Sequence, residues 1–166
     1  MGGNEANILT QNFNTIAEIM TSISLLMGIC FTLGGLFQLK KHAEQRSMAA
    51  SHSMAGPMMM FICGGILCVL PKFIGSALLA FWGTDTPLVY QGGPAGYSVL
   101  IPPILMFVRI IGVGSFIRGV VLLSKAGGQQ SQPGTLGKAL VHIFAGILLV
   151  HILGTIDLLK SILGMG

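Results

Sequence analysis

The sequence predicts an all-α polytopic membrane protein with about four transmembrane helices, and three observations lead there. Four apolar runs, roughly Thr15–Leu39, Ala55–Trp82, Val99–Ser124 and Leu136–Leu163, occupy most of the 166 residues. A hydrocarbon core about 30 Å thick takes about 20 apolar helical residues to cross, and each run is long enough. The chain is 52% hydrophobic and 8% charged, with a mean hydropathy of +0.81, against roughly 25% charged residues in a soluble domain. Third, the cations between the runs fall in only two loops. Residues 1–166 read as a single membrane domain.

Those loops set the threading. Leu39–Ala55 holds Lys40, Lys41 and Arg46 against one acid, Glu44, and Lys125–Lys138 carries a Lys at each end and no acid. The intervening Gly83–Ser98 holds Asp85 and no Lys or Arg, and the N-terminal tail has Glu5 and no base. By the positive-inside rule the first and third loops are cytoplasmic and both termini lie outside, an N-out/C-out arrangement. A bacterial inner (cytoplasmic) membrane is the expected location. The formal charge of +4 is explained by topology; the basic residues form no stripe for nucleic acid, and no direct nucleic-acid binding is expected. Met1–Thr10 lacks the basic segment of a cleavable leader.

The first span, Thr15–Leu39, follows a polar stretch in which Asn12 or Asn14 is a candidate cap. It ends at Lys40 and Lys41. The second run is split near Pro71, because proline removes a backbone bond and clashes with the preceding turn. Lys72 beside it is costly at mid-bilayer. A span over 55–70 followed by an interfacial segment, 73–82, with Trp82 at headgroup level, costs less than a kinked span with Lys72 facing protein or water. Pro102 and Pro103 suit the first turn of the third helix. Thr135 or Ser131 is a candidate cap for the fourth. No repeat at a solenoid period is visible; the first and third spans share only a weak likeness, each ending in Gly, an apolar run and Lys.

Cys30, Cys63 and Cys68 lie inside apolar spans and read as packing residues. Cys63 and Cys68 are five apart, about 140° round a helix, which disfavours a shared disulfide or metal. Met48–Met60 holds five methionines in thirteen residues, a soft apolar filler or an adaptable docking surface.

Twenty-four glycines are the next signal. In lipid no hydrophobic force joins helices, so small residues that permit close approach supply the packing. Gly112, Ser115 and Gly119 share one face of the third span; Ala139, Gly146 and Gly154 mark the fourth, with His142 one turn before Gly146. Gly28 and Gly35 do the same on the first. Spacing leaves open whether these faces meet within one chain or between chains.

Arg109 and Arg118 interrupt the third span. Arg118 can snorkel to the cytoplasmic surface. Intramembrane charges usually pair, and the acids toward the outer side are Glu18 and Asp157. Pairing of Arg109 with Asp157, or with Glu18 of a neighbouring helix or subunit, stands against simple snorkelling. His142 and His151 are nine apart, on opposite faces, and each reads as an interhelical hydrogen-bonding residue. No Ser/His/Asp set, HExxH, phosphate loop or paired carboxylates occur, so no catalytic residue, cofactor or metal is expected.

Ser115-Phe-Ile-Arg-Gly119, Leu122-Leu-Ser-Lys125, Pro133-Gly-Thr-Leu-Gly-Lys138, His142, Gly146 and Gly154-Thr155 together resemble the IcmC/DotE group. These are small inner-membrane proteins of Dot/Icm type IVB secretion systems, with TraQ-like relatives in IncI conjugation machinery. The likeness covers about Arg109–Asp157 and, more loosely, Leu39–Ser53. The middle loop departs in length and content, which leaves open IcmC or a paralogue such as DotV or IcmD as the counterpart. The resemblance implies a non-enzymatic structural or channel subunit of an apparatus that exports proteins or protein–DNA complexes. It implies other inner-membrane subunits as partners, in a homo- or hetero-oligomer within the lipid bilayer. The alternatives are a pilin-like polymerising subunit and a small transporter or ion channel.

Overall fold

The computed structural model describes residues 2–45, 54–88, 97–127 and 132–165. These form six helices and, among the described residues, no strand: α1 (Gly2–Gln45), α2 (Ala55–Cys68), α3 (Leu70–Trp82), α4 (Tyr97–Ala126), α5 (Thr135–Val150) and α6 (Ile152–Ile162). Stretches of α1 and α4 are long and apolar enough to cross a membrane, and 17% of the most apolar window of each is buried within the chain. Most of that surface faces away from the protein, which water would not tolerate. α2 with α3, and α5 with α6, pass the same test as pairs, each bent at a short break, by 87° and 99° respectively. Among the described residues there are two to four candidate membrane spans.

Four boundaries differ from the sequence expectation. α1 has 44 residues and runs straight through Asn12 and Asn14, so neither is a cap. Apolar positions within the polar stretch explain this: Ala6 is buried, and the Phe13 ring packs on Phe107 of α4 with centroids 5.8 Å apart. α4 begins at Tyr97, so Pro102 and Pro103 lie in its second turn rather than its first. The fourth run is broken at His151, which has non-helical φ/ψ of −108° and 50°. Gly134, not Thr135, precedes α5, and the Thr135 hydroxyl donates backwards to the Gln132 carbonyl at 2.8 Å. Ser131 lies outside the described residues.

Both breaks satisfy the carbonyl they release. In an unbroken helix the Leu67 carbonyl would accept from residue 71, but Pro71 has no N–H. The buried Ser24 hydroxyl of α1 donates to that carbonyl instead, at 3.0 Å. At the second break, the Leu148 carbonyl would have served residue 152; the Thr155 hydroxyl donates to it at 2.8 Å. Backbone polar groups at bilayer depth need such partners, and Ser/Thr hydroxyls are a common supply. Ser24→Ala leaves the Leu67 carbonyl unpaired and should destabilise the fold by about 1 kcal/mol in detergent denaturation. An unchanged midpoint would show that another group takes the carbonyl.

The helices repeat one plan twice. A Cβ added to Gly28 would lie 2.7 Å from the Cys68 nitrogen and 2.8 Å from the Gly64 oxygen, and one on Gly112 would lie 2.8 Å from the Val150 nitrogen and 2.9 Å from the Gly146 oxygen. Reciprocally, Gly64 meets the backbone of Gly28 and Thr32, and Gly146 meets that of Gly112 and Phe116. The contact set of α1–α2 is therefore reproduced in α4–α5, after which each short helix breaks sharply. Between the two units lies the core: Cys63, Leu67, Leu70, Ile74 and Leu78 from α2 and α3 meet Phe116, Val120, Ile147 and Val150.

Candidate functional site

The two breaks point to the same region, and polar side chains gather there. His151 terminates α5 and is 1% exposed, with neither ring nitrogen hydrogen-bonded among the described residues. Its imidazole stacks on the Trp82 indole at the end of α3, centroids 4.7 Å apart and planes 16° from parallel. The Trp82 Nε1 is also buried without an acceptor. Gly154, one turn on, leaves room for the imidazole: a Cβ there would collide with the His151 ring and sit 3.0 Å from Trp82 Cδ1. Gly83 ends α3 with φ of 71°, a left-handed turn that glycine adopts without strain.

Arg109 projects from α4 beside this stack. One Nη2 donates to the Leu88 carbonyl at 2.5 Å, while Nε is buried with no acceptor. Neither Asp157 nor Glu18 forms an ion pair with it; both are exposed. The proposed intrachain pairing is thereby replaced by a carbonyl from the loop after α3. Asp157 and Arg109 both remain within electrostatic reach of His151. Arg118 is exposed two turns before Lys125.

A cavity of about 310 Å³ opens between the two units at the level of the breaks. Its walls come from α1 (Ala17, Met20, Thr21), from the first break (Leu70, Pro71, Ile74) and from α4 (Met106, Arg109, Ile110, Val113). Among the described residues, Arg109 is the one charged side chain on that wall. Sites at the interface of structural repeats, next to interrupted helices, are where membrane proteins commonly place ligands.

The small-residue faces meet within the chain. Gly112 and Gly119 abut Gly146, Ile143 and the Ala139 carbonyl, and the Ser115 hydroxyl donates to the His142 carbonyl at 3.1 Å. Ala139 is fully buried. Gly28 and Gly35 abut α2 at Gly64, Cys68 and Phe61. His142, midway along α5, bonds through Nδ1 to the Lys138 carbonyl at 2.8 Å, nine residues before His151. Lys72 is exposed. All three cysteines are free, and only Cys63 is buried.

Sequence reasoning did not foresee the Trp82–His151 stack, because the partners are 69 positions apart on separate spans. It also passed over Gly64, which sits in an apolar run without period. Among the described residues no three His, Cys, Asp or Glu side chains group as a metal site would need. Compared with known protein families, curated proteins and solved structures, the chain matches none.

Proposed function

We propose that this chain is a non-enzymatic inner-membrane subunit of an export assembly of the type IVB secretion or conjugation kind, crossing the bilayer four times with both ends outside. The observation that carries the reading is that the stretch resembling the IcmC/DotE group, Arg109–Asp157, coincides with one tightly packed unit built from α4, α5 and α6. Its small residues are used for holding helices together, as a scaffold requires. The large exposed apolar faces of α1 and α4 leave room for lipid and for neighbouring subunits.

Depth supports the four-pass arrangement. Lys40, Lys125 and Lys138 lie at one end of the bundle and are exposed, suiting the cytoplasmic surface. From there α2 and α5, of 14 and 16 residues, rise about 21 and 24 Å, short of a core about 30 Å thick. Each break then falls in the outer leaflet, and α3 and α6, bent away by 87° and 99°, lie along the outer interface.

Two measurements test this. A phosphatase reporter in the loop between α3 and α4 should be active outside the cell, and one in the loop after α1 inactive; the reverse pattern overturns the orientation. Extraction in mild detergent followed by mass measurement should recover the chain in a stable assembly with other envelope proteins. A self-contained oligomer that conducts solute, or a helical filament, overturns the scaffold reading.

A further inference from the structure

We propose that the cavity between the two units holds an anionic phospholipid of the surrounding bilayer, with its phosphate on Arg109 and an acyl chain in the apolar space. Four observations support this. The cavity, about 310 Å³, is walled by Met20, Leu70, Ile74, Met106, Ile110 and Val113, surfaces that favour hydrocarbon. Among the described residues its single charge is a guanidinium, which presents five N–H donors in a planar fork suited to phosphate. Of the described residues only the Leu88 carbonyl accepts from that fork, and Nε is buried with no acceptor among them. No carboxylate of the described residues lines the cavity, and residues 89–96, which follow Leu88, contain no Asp or Glu.

Depth makes a lipid the fitting anion. Arg109 lies 16 residues before Lys125, about 24 Å of helix rise. With Lys125 at one surface, the guanidinium sits just beneath the opposite headgroups, where a phosphate is at hand and an acyl chain can enter sideways. The first unit offers no such site. By the spacing that relates Gly28 to Gly112, Arg109 corresponds to Leu25, which is exposed, and the two units are alike in packing while differing at this charge.

The probe is dioleoyl phosphatidylglycerol added to the delipidated, detergent-purified full chain, followed by native mass spectrometry, with phosphatidylcholine as the zwitterionic comparison. Wild type should retain one phosphatidylglycerol at least tenfold more strongly than phosphatidylcholine. Arg109→Gln should lose that preference, and Ile110→Trp, which fills the cavity, should lose retention of both lipids. Arg118→Gln, which removes a cation nine residues further along α4 and outside the cavity lining, should behave as wild type. Glycerol phosphate, which lacks acyl chains, should not compete. Equal retention of the two lipids by wild type overturns the proposal, as does undiminished preference in Arg109→Gln or competition by glycerol phosphate at comparable concentration. Should Arg109→Gln fail to fold, Ile110→Trp and the wild-type preference still decide the matter.

Discussion

Gly146→Ala is expected to destabilise the protein by about 1–3 kcal/mol, the usual cost of forcing a methyl into a filled contact. The new Cβ would lie 2.7 Å from both the Gly112 oxygen and the Phe116 nitrogen. Those are backbone atoms, so no side chain can swing aside; α4 and α5 must separate, losing contact along their whole length. Gly64→Ala should do the same to the first unit, where the Thr32 nitrogen is 2.6 Å away. The controls sit close by. Gly65 and Gly137 have nothing within 4 Å of a built Cβ, and alanine in a helix is about 0.5–1 kcal/mol better than glycine. Unfolding in detergent should therefore show opposite signs for Gly64→Ala and Gly65→Ala, two adjacent positions with the same change. If both shift the midpoint alike, the close backbone contact is not what holds α1 to α2.

The second large effect concerns His151. It is 1% exposed and its ring nitrogens have no partner among the described residues. An unpaired buried polar group costs about 1–3 kcal/mol, while an aromatic pair contributes about 0.5–1.5 kcal/mol beyond area. His151→Phe keeps the stack on Trp82 and removes the orphan nitrogens, so it should raise stability by about 1 kcal/mol. His151→Ala loses the stack, opens a void and should lower it. A Phe variant as weak as the Ala variant would mean that the imidazole nitrogens have a partner that the fold does not supply by itself. Buried polar groups kept against stability are typical of functional positions, which is why recovery of the Phe variant in the proposed membrane assembly should be measured alongside its melting point.

Much of this architecture was legible from residue spacing, and the misses have physical causes. Gly112, Ser115 and Gly119 announce a packing face because a helix repeats every 3.6 residues, and proline at 71 announces a break because it has no N–H to give. The break at His151 carried no such mark. Neither proline nor glycine stands there, and a histidine within an apolar run differs little from its neighbours until Trp82 is brought against it. The N-terminal extension of α1 was masked by Asn and Gln residues that resemble a cap and tail; Ala6 and Phe13 hold it helical through contacts no local pattern reveals. The pairing of Arg109 with Asp157 rested on the rule that buried charges find opposite charges. Here the Leu88 carbonyl, delivered by a loop, stands in the way.

The duplicated plan and the two satisfied breaks were both beyond a one-dimensional reading. Equivalent glycines in the units are 84 apart on the long helices and 82 apart on the short ones, while the side chains between them differ at almost every position. Backbone contact preserves the plan; side-chain identity does not advertise it. Ser24 and Thr155 perform the same task by different routes, one from a neighbouring helix and one from α6, just past the break it serves, so no shared motif exists to find.

With 44 residues in one uninterrupted helix, α1 is about 66 Å long, more than twice the thickness of a bilayer's hydrocarbon core. A rod of that length acts as a lever. Pivoting at its lysine-bearing end by about 10°, well inside the range over which membrane helices lean, would sweep the far tip through roughly 11 Å. Residues near Ala6 would be carried with that tip through a displacement several atoms wide.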